Sequence, residues 1–254
     1  MRVPRTLACA VTAAALGLAG CSAEPPQGVT SAPGPVASTS TPSATPTVTP
    51  SATPTPSATT TPTPTVDTPP KDTRKGAQRA TPYEVNGIIV VSKKHRITAA
   101  YGPEHPTGPY HLEAVAAKAL ARMTAAAKAD GVRIRVHSGY RDWASQNASY
   151  QRALKNYPQN ISFYAPAGAS EHQTGLAVDL WDGVTWSLPM ANTATGKWLF
   201  AHAHEYGFIL RYPNGKAKIT GYHYEPWHYR YIGRADAVKF GNNKLTLEEY
   251  LGLA

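Results

Sequence analysis

A chain of 254 residues with a formal net charge of +9 and only two cysteines is long enough for one or two globular domains. Both cysteines, Cys9 and Cys21, lie in the first 21 residues, which excludes a disulfide framework and cysteine ligation of zinc from the rest of the chain. All of the net charge lies after residue 70. It favours an anionic polymer or acidic peptide as partner, although a solvated basic surface with no specific role is equally compatible.

The first 21 residues have the pattern of an export signal. Arg2 and Arg5 precede a short apolar run, Leu7 to Gly20, which is too short for a comfortable membrane span. The ending LAGC resembles the lipobox of bacterial lipoproteins, which predicts a signal peptide over 1–21 and lipidation of Cys21. An ordinary signal peptide that ends near Cys21 by chance is the alternative. Because the chain is exported and has no nucleic-acid motif, we expect no nucleic-acid partner.

Residues 22–80 are predicted to form a disordered tether. The stretch 22–70 is almost entirely Ser, Thr, Pro and Ala, and 14 of the 23 prolines lie in the first 70 residues. Such a composition cannot bury enough apolar surface to fold. Pro-rich chain rises about 3 Å per residue, so roughly fifty residues reach on the order of 100 Å. We therefore predict an extracytoplasmic protein, lipid-anchored to the cell membrane and facing the cell wall, with its folded domain over 81–254.

The first half of that domain is predicted to mix strands and helices. The segment 86–97 begins as a short apolar strand, and 111–131 is predicted to be a long helix that Gly131 ends. Its apolar face comprises Leu112, Val115, Leu120 and Met123. Residues 132–137 alternate apolar and polar side chains, as a half-buried strand does. Asp142 is predicted to cap a helix running to about Tyr157, with Trp143, Ala144 and Tyr150 on its buried side.

The strand LAVDL at 176–180 has two contrasting faces. Its period places Leu176, Val178 and Leu180 on one face. The other face has the small residues Gly175 and Ala177 beside Asp179. We expect something to approach the backbone closely beside the carboxylate of Asp179.

The last part of the chain continues the mixed pattern. We predict a helix over 195–207 that Gly207 ends, a strand over 208–213, and a strand pair or bent strand within 220–232. Residues 234–240 are predicted to be helical, and Thr246 with Glu249 forms a capping box. Because there is no βαβ repeat, we predict the α+β class, with a small antiparallel sheet and flanking helices.

Two histidines stand out as candidate metal ligands. Nine are present and the helical zinc motif HExxH is absent, but His172 and His228 each lie near a carboxylate. Pro226 disfavours a helical conformation at Glu225, and residues three apart on a straight strand point to opposite faces. Glu225 and His228 can therefore share a site only if the chain bends at Pro226. We predict that bend, with His228 as ligand and Glu225 beside the metal.

Four segments together resemble the VanY-type D-alanyl-D-alanine carboxypeptidases. They are VSKKHRITAAYGP (91–103), SGYRDWASQ (138–146), SEHQTGLAVDLW (170–181) and YGFILRYPNGKAKITGYHYEPWHYRYIG (206–233). The resemblance covers about residues 84–250, and its most specific parts are the S-x-H-x-x-G-x-A-x-D and E-x-W-H motifs. These enzymes are LAS zinc peptidases, a group that includes lysostaphin-type enzymes and the hedgehog signalling domain. The resemblance implies a LAS/hedgehog-like zinc peptidase fold.

The resemblance also implies roles for individual residues. It makes His172, Asp179 and His228 the ligands of Zn²⁺, and Glu225 the general base. The zinc ion would polarise the scissile carbonyl and lower the pKa of its water, while Glu225 would pass a proton from water to the leaving amine. Every metal and base position is intact, which argues against an inactive domain.

Three further residues are expected to contact the substrate. Arg141, in the family's S-x-x-R-type motif, would bind the terminal carboxylate or steady the developing oxyanion; an ion pair with Asp142 is the alternative. Ser170 and Gln146 are candidate polar contacts to the peptide. Their alternatives are a loop cap for Ser170 and a solvated helix face for Gln146.

The function that these expectations favour is a monomeric, zinc-dependent carboxypeptidase that removes terminal D-alanine from peptidoglycan stem peptides. An L,D-carboxypeptidase acting on tetrapeptide stems would use the same site, as would a dipeptidase. The long tether argues against a free dipeptide as substrate. A non-catalytic wall-binding module of the same fold is a further alternative, against which the intact Glu225 weighs.

Overall fold

The computed structural model describes residues 68–254; the predicted signal peptide, Cys21 and the tether up to residue 67 lie outside the described residues. The strands are β1 (Tyr83–Val85), β2 (Ile88–Val90), β3 (Pro106–Thr107), β4 (Leu112–Glu113), β5 (Arg135–Ser138), β6 (Ala177–Trp181), β7 (Phe208–Leu210) and β8 (His228–Tyr231). The helices are α1 (Ala114–Ala129), α2 (Trp143–Asn156), α3 (Ala194–His202), α4 (Ala217–Thr220), α5 (Arg234–Ala237) and α6 (Leu247–Tyr250). No helix in the described part of the chain has the length and apolar character needed to cross a bilayer.

A four-stranded sheet of order β5-β6-β8-β7 forms the centre of the domain, and every neighbouring pair is antiparallel. Val178 and Leu180 of β6 are fully buried in a core shared with α1 and α3. Burying a side chain of this size stabilises a fold by about 1.5–3 kcal/mol. Leu176 packs against the same core, so the apolar face predicted for this strand is confirmed, and Asp179 lies on the opposite face. The predicted α+β class with a small antiparallel sheet is also confirmed.

A second apolar cluster links the N- and C-terminal parts of the domain. It joins the β1–β2 hairpin to Ile209 of β7 and to the chain around α5 and α6, where Phe240, Leu247 and Leu251 are buried. Since Phe208 and Leu210 lie in the first core, β7 is buried on both faces. A charged residue that directly follows β7 is therefore buried as well.

The long helix α1 differs from its prediction at its start and on its apolar face. It begins at Ala114 rather than 111, because Leu112 and Glu113 pair with β3 as β4. Val115 is 57% exposed and was wrongly assigned to the buried face, whereas Leu112, Leu120 and Met123 are buried as predicted. The strand that follows begins at Arg135 instead of 132.

The predicted helix caps are confirmed, whereas the predicted buried face of α2 is partly wrong. The side chain of Asp142 accepts a hydrogen bond from Ser145 N at the start of α2, as predicted. However, Ala144 is exposed, and the buried residues of α2 are Gln146 and Ala153. The capping box of Thr246 and Glu249 is present at α6.

The C-terminal elements are shorter than predicted. A 3-10 turn, Ala203–Tyr206, follows α3 and ends at Gly207, whose φ of 91° requires glycine. The predicted strand over 208–213 is β7, which ends at Leu210. Of the two alternatives for 220–232, the strand pair is wrong: there is one strand, β8, and the chain bends just before it.

The described chain between residue 68 and β1 packs on the domain, although the predicted tether extends to residue 80. It includes a 3-10 helix, Gly76–Ala80. Asp72 accepts hydrogen bonds from Arg74 and contacts His95 Nδ1 at 2.8 Å, and the His95 ring stacks on Tyr83. The hydroxyl of Tyr83 donates to the carbonyl oxygen of Pro70. These contacts attach residues 70–74 to the domain, so the folded part begins before residue 81.

We expect Asp72→Asn to lower the free energy of unfolding by about 1–3 kcal/mol at pH 7, because it weakens charged hydrogen bonds to Arg74 and His95. The bond from Arg74 is the main reason that the pKa of Asp72 lies well below its usual range. The stabilisation is therefore present above the unfolded carboxyl pKa of about 4 and is lost as the pH falls below it.

Urea unfolding of both proteins between pH 7 and pH 2 checks this expectation. Glu205→Gln is the matched control, because the His202–Glu205 pair is exposed and contributes less than about 1 kcal/mol. An Asp72→Asn effect no larger than that of the control would contradict the proposed attachment.

Candidate metal centre

The pairing of β6 with β8 brings two of the predicted ligands together. Asp179 and His228 are direct Cα partners across these antiparallel strands, so their side chains point to the same face. His172 enters from a 3-10 turn, Glu171–Thr174, that comes just before β6. The turn ends at Gly175, which returns the chain into the strand.

The three side chains form a compact, buried cluster. His172 Nε2 lies 3.2 Å from Asp179 Oδ2, and His228 Nδ1 lies 3.0 Å from Asp179 Oδ1. One potential ligand atom from each residue lies within 4.8 Å of the others. Charged side chains are rarely buried without partners, so this arrangement indicates a cation site.

The hydrogen bonds of the two imidazoles show that the cluster fits zinc. His172 Nδ1 lies 2.6 Å from the carbonyl oxygen of Gly139, and since a carbonyl only accepts, Nδ1 carries the proton and Nε2 has a free lone pair. His228 Nε2 faces the carboxylate of Glu171 at 3.5 Å, and its Nδ1 faces the cluster. Two imidazole nitrogens and one carboxylate are a ligand set of catalytic zinc sites.

The charges of the metal-free cluster follow from its burial and its contacts. Burial lowers the pKa of His172. Burial opposes ionisation of Asp179 and His228 too, but their contacts outweigh it. For Asp179 these are with His172 first and then His228, and for His228 with Asp179 first and then Glu171. The pKa of Asp179 is consequently held well below its usual range and that of His228 is raised to about 9. A metal ion bound by His228 would displace one of its protons.

Glu225 lies beside the cluster but outside it. The chain turns at Pro226 and Trp227, where His228 N donates to the carbonyl oxygen of Glu225 at 3.1 Å, so the predicted bend is present. The carboxylate of Glu225 is buried 4.0 Å from His228 Nδ1. Burial raises its pKa to about 8, so this group can both hold and release a proton near neutral pH.

A cavity of about 380 Å³ opens over the cluster, and Arg141, Gln146 and Ser170 all line it. Arg141 Nη1 donates to Ser138 Oγ at 3.2 Å and lies 3.9 Å from Asp179 Oδ2. Its alternative partner Asp142 accepts from Ser145 N instead. Arg141 is therefore directed into the cavity.

The structure contradicts the alternative role of Gln146 but agrees with the alternative role of Ser170. Gln146 is 2% exposed, so the solvated-face alternative is wrong. Its Nε2 donates to Ala165 O at 2.6 Å, and its buried Oε1 has no partner among the described residues. Ser170 does act as a loop cap, since its Oγ accepts from His172 N at 3.4 Å, yet it also lines the cavity.

Gly175 was expected to be small because something approaches the backbone beside Asp179, and this explanation is wrong. Gly175 lies before β6, has a φ of 68° and ends the turn that carries His172. A Cβ there would lie 3.0 Å from both Glu113 N and Pro103 Cβ. Glycine is therefore required by the turn and by this close packing, and not by space around Asp179.

Sequence reasoning missed a buried ion network next to the metal centre. It consists of Glu171, Arg211, Arg230 and Glu248, each at most 8% exposed. Glu171 contacts both arginines, and Arg211 also contacts Glu248. A signal for it exists, because Arg211 follows the apolar strand β7 and Arg230 lies within β8, positions where a charge must be paired.

Known proteins similar to this chain include several D-alanyl-D-alanine carboxypeptidases. The family model described as VanY, D-alanyl-D-alanine carboxypeptidase, matches residues 109–234. The bifunctional D-Ala-D-Ala dipeptidase and carboxypeptidase VanXYC of Enterococcus gallinarum is 33% identical over 181 residues, which cover 65% of this chain and 94% of that protein. Three other curated relatives are longer, and the aligned part of this chain spans between 51% and 67% of their length.

Two solved structures show the same fold. The LD-carboxypeptidase LdcB has a TM-score of 0.59 and 32% identity, over 68% of this chain and 95% of that chain. A mutant of the vancomycin-resistance D,D-pentapeptidase VanY in complex with Zn(II) has a TM-score of 0.57 and 35% identity, over 64% of this chain and 97% of that chain. These similarities confirm the expected LAS-type fold and zinc as the metal.

We expect His172→Ala to lose stoichiometric zinc, because it removes one of three ligands while the fold's core is untouched. Zinc content after dialysis, measured by atomic absorption, checks this. His202→Ala is the control, since His202 is on the exposed side of α3 and should leave the zinc content unchanged. Full zinc retention by His172→Ala would contradict the assignment.

Proposed function

The chain belongs to the VanY family of D-alanyl-D-alanine carboxypeptidases, and we propose that it removes the terminal D-alanine from peptidoglycan stem peptides at the cell wall. The observation that carries this proposal is the buried Glu225 carboxylate 4.0 Å from His228, beside the complete ligand set of His172, Asp179 and His228. A buried carboxylate placed beside a complete ligand set, but outside it, is expected of a general base and serves no purpose in a binding module.

The residues around the metal divide the work of peptide hydrolysis. His172, Asp179 and His228 would hold the zinc ion, which would act as a Lewis acid on the scissile carbonyl and on water. Glu225 accepts a proton from the attacking water and passes it to the amine of the departing D-alanine. Its burial keeps bulk water from competing for that proton.

Two cavity residues are suited to binding the end of the stem peptide. The guanidinium of Arg141 is permanently charged and reaches into the cavity next to Asp179, where it binds the terminal carboxylate or the developing oxyanion. The hydrogen bond from Gln146 Nε2 to Ala165 O holds the side chain in place. Its unpartnered Oε1 can then accept a hydrogen bond from an N–H group of the peptide. Ser170, already engaged with His172 N, supplies a hydroxyl at the cavity wall.

An L,D-carboxypeptidase that acts on tetrapeptide stems is the second candidate. The similarity to the LD-carboxypeptidase LdcB favours it, whereas the family model and the similarity to VanY favour the first. Both reactions release D-alanine and need the same metal, base and carboxylate contact. They differ only in the residue before the scissile bond.

We also propose that the domain works at the outer surface of the cell membrane as a monomer. The N-terminal sequence supports the membrane location through its export-signal pattern, its lipobox-like ending at Cys21 and the Pro-rich stretch that precedes the domain. The basic charge of the domain favours approach to an anionic wall.

We predict that the zinc-loaded protein releases D-alanine from a pentapeptide stem at least ten-fold faster than from the corresponding tetrapeptide. Mass analysis of muropeptides before and after treatment measures both reactions, and His172→Ala is the negative control. Release from the tetrapeptide alone would move the assignment to the L,D-carboxypeptidase. No release by protein with full zinc occupancy would contradict both.

We predict that Glu225→Ala keeps its zinc and its fold but loses about 10²–10⁴-fold in kcat, because the proton acceptor is removed and no ligand is. Zinc content, circular dichroism and D-alanine release measure the three properties. Glu205→Gln, which changes an exposed carboxylate, should remain fully active. Loss of zinc from Glu225→Ala would show that Glu225 is a ligand.

A further inference from the structure

The buried carboxylate of Glu171 is fixed from two sides. Its Oε1 accepts a hydrogen bond from Arg211 Nε at 2.8 Å and another from Arg230 Nη1 at 2.9 Å. Glu171 is 1% exposed, so no bulk water competes for these bonds. With Oε1 occupied by both arginines, the carboxylate cannot rotate, and Oε2 is directed at His228 Nε2, 3.5 Å away.

The two arginines are themselves tied to distant parts of the chain. Arg211 uses Nη1 and Nη2 to bind both oxygens of Glu248 in α6, at 2.9 and 2.6 Å. Arg230 Nη2 donates to the carbonyl oxygen of Ile89 in β2. Two arginines and two glutamates balance in charge, which makes the burial of the group tolerable. The position of Glu171 is thus set from both the N- and C-terminal ends of the domain.

The orientation of Glu171 decides which nitrogen of His228 faces the metal. Nδ1 is 3.0 Å from Asp179 and 4.0 Å from Glu225, so it is the nitrogen in the cluster. An imidazole can ligate through Nδ1 only if its remaining proton is on Nε2, and Glu171 Oε2 is the acceptor placed there. No other acceptor contacts Nε2 among the described residues.

We propose that Glu171 is a positioning residue for the zinc ligand His228, and that Arg211 and Glu248 extend this support to the C-terminal helix α6. The proposal rests on the zinc site of the proposed function and adds the part of the chain that orients it. It assigns Glu171 a specific effect on metal affinity, beyond the stability that any buried ion network provides.

The test measures the zinc dissociation constant of the full chain by competition with a chromophoric chelator. We expect Glu171→Gln to bind zinc about 10–100-fold more weakly than the native protein. Glu248→Gln should weaken binding by a smaller factor, because Arg211 then holds Glu171 less firmly. Lys216→Met is the matched control: it removes an ion pair with Glu249 on the same helix α6 but outside the network, and zinc affinity should not change.

A spectroscopic measurement separates positioning from general destabilisation. In the native zinc-loaded protein, ¹⁵N NMR of the histidine side chains should show His228 protonated at Nε2 and metal-bound at Nδ1. In the cobalt-substituted protein, Glu171→Gln should shift the visible d–d bands, whereas Lys216→Met should not. If Glu171→Gln fails to fold, the NMR result on the native protein and the Glu248→Gln affinity decide the question.

Native-like zinc affinity in folded Glu171→Gln, or a His228 proton on Nδ1, would overturn the proposal. Neither outcome depends on catalysis. D-alanine release by the native protein tests the proposed function separately, so the failure of one can be told from the failure of the other.

Discussion

The register between β6 and β8 is the constraint on which the site depends. Because Asp179 and His228 are direct partners, a one-residue slip would turn one of them to the opposite face and separate the ligands. The same register is fixed by the apolar core, where Val178 pairs with Tyr229 and both are buried. The hydrophobic effect on one face of the sheet therefore holds the metal ligands in place on the other.

The remaining parts of the centre are placed by short, irregular segments attached to that pair of strands. His172 comes from a 3-10 turn capped by Ser170, and Glu225 from the bend at Pro226. Backbone hydrogen bonds tie both segments to neighbouring chain: Arg141 N donates to His172 O, and Glu225 N donates to Tyr212 O. The network of Glu171, Arg211, Arg230 and Glu248 also holds the turn that carries His172, at the cost of burying four charges, which balance one another.

The fold class and the grouping of His172, Asp179 and His228 could be predicted from the sequence, the grouping through the two motifs that resemble the VanY-type enzymes. The caps at Asp142 and Thr246 are local, and both were predicted correctly. Burial was harder: Val115 is exposed and Gln146 is buried, because each depends on which element packs against the helix. The role of Glu171 depends on Arg211, 40 residues away, and on Glu248, so no local pattern reveals it.

X-ray diffraction at the zinc absorption edge, from crystals of the zinc-loaded protein, tests the central claim most directly. The account predicts an anomalous peak that lies about 2.0–2.2 Å from each of three atoms: His172 Nε2, a carboxylate oxygen of Asp179 and His228 Nδ1. Glu225 should lie outside the coordination sphere. The account would be contradicted by a peak within bonding distance of Glu225, Glu171 or His228 Nε2, or by the absence of a peak at this position.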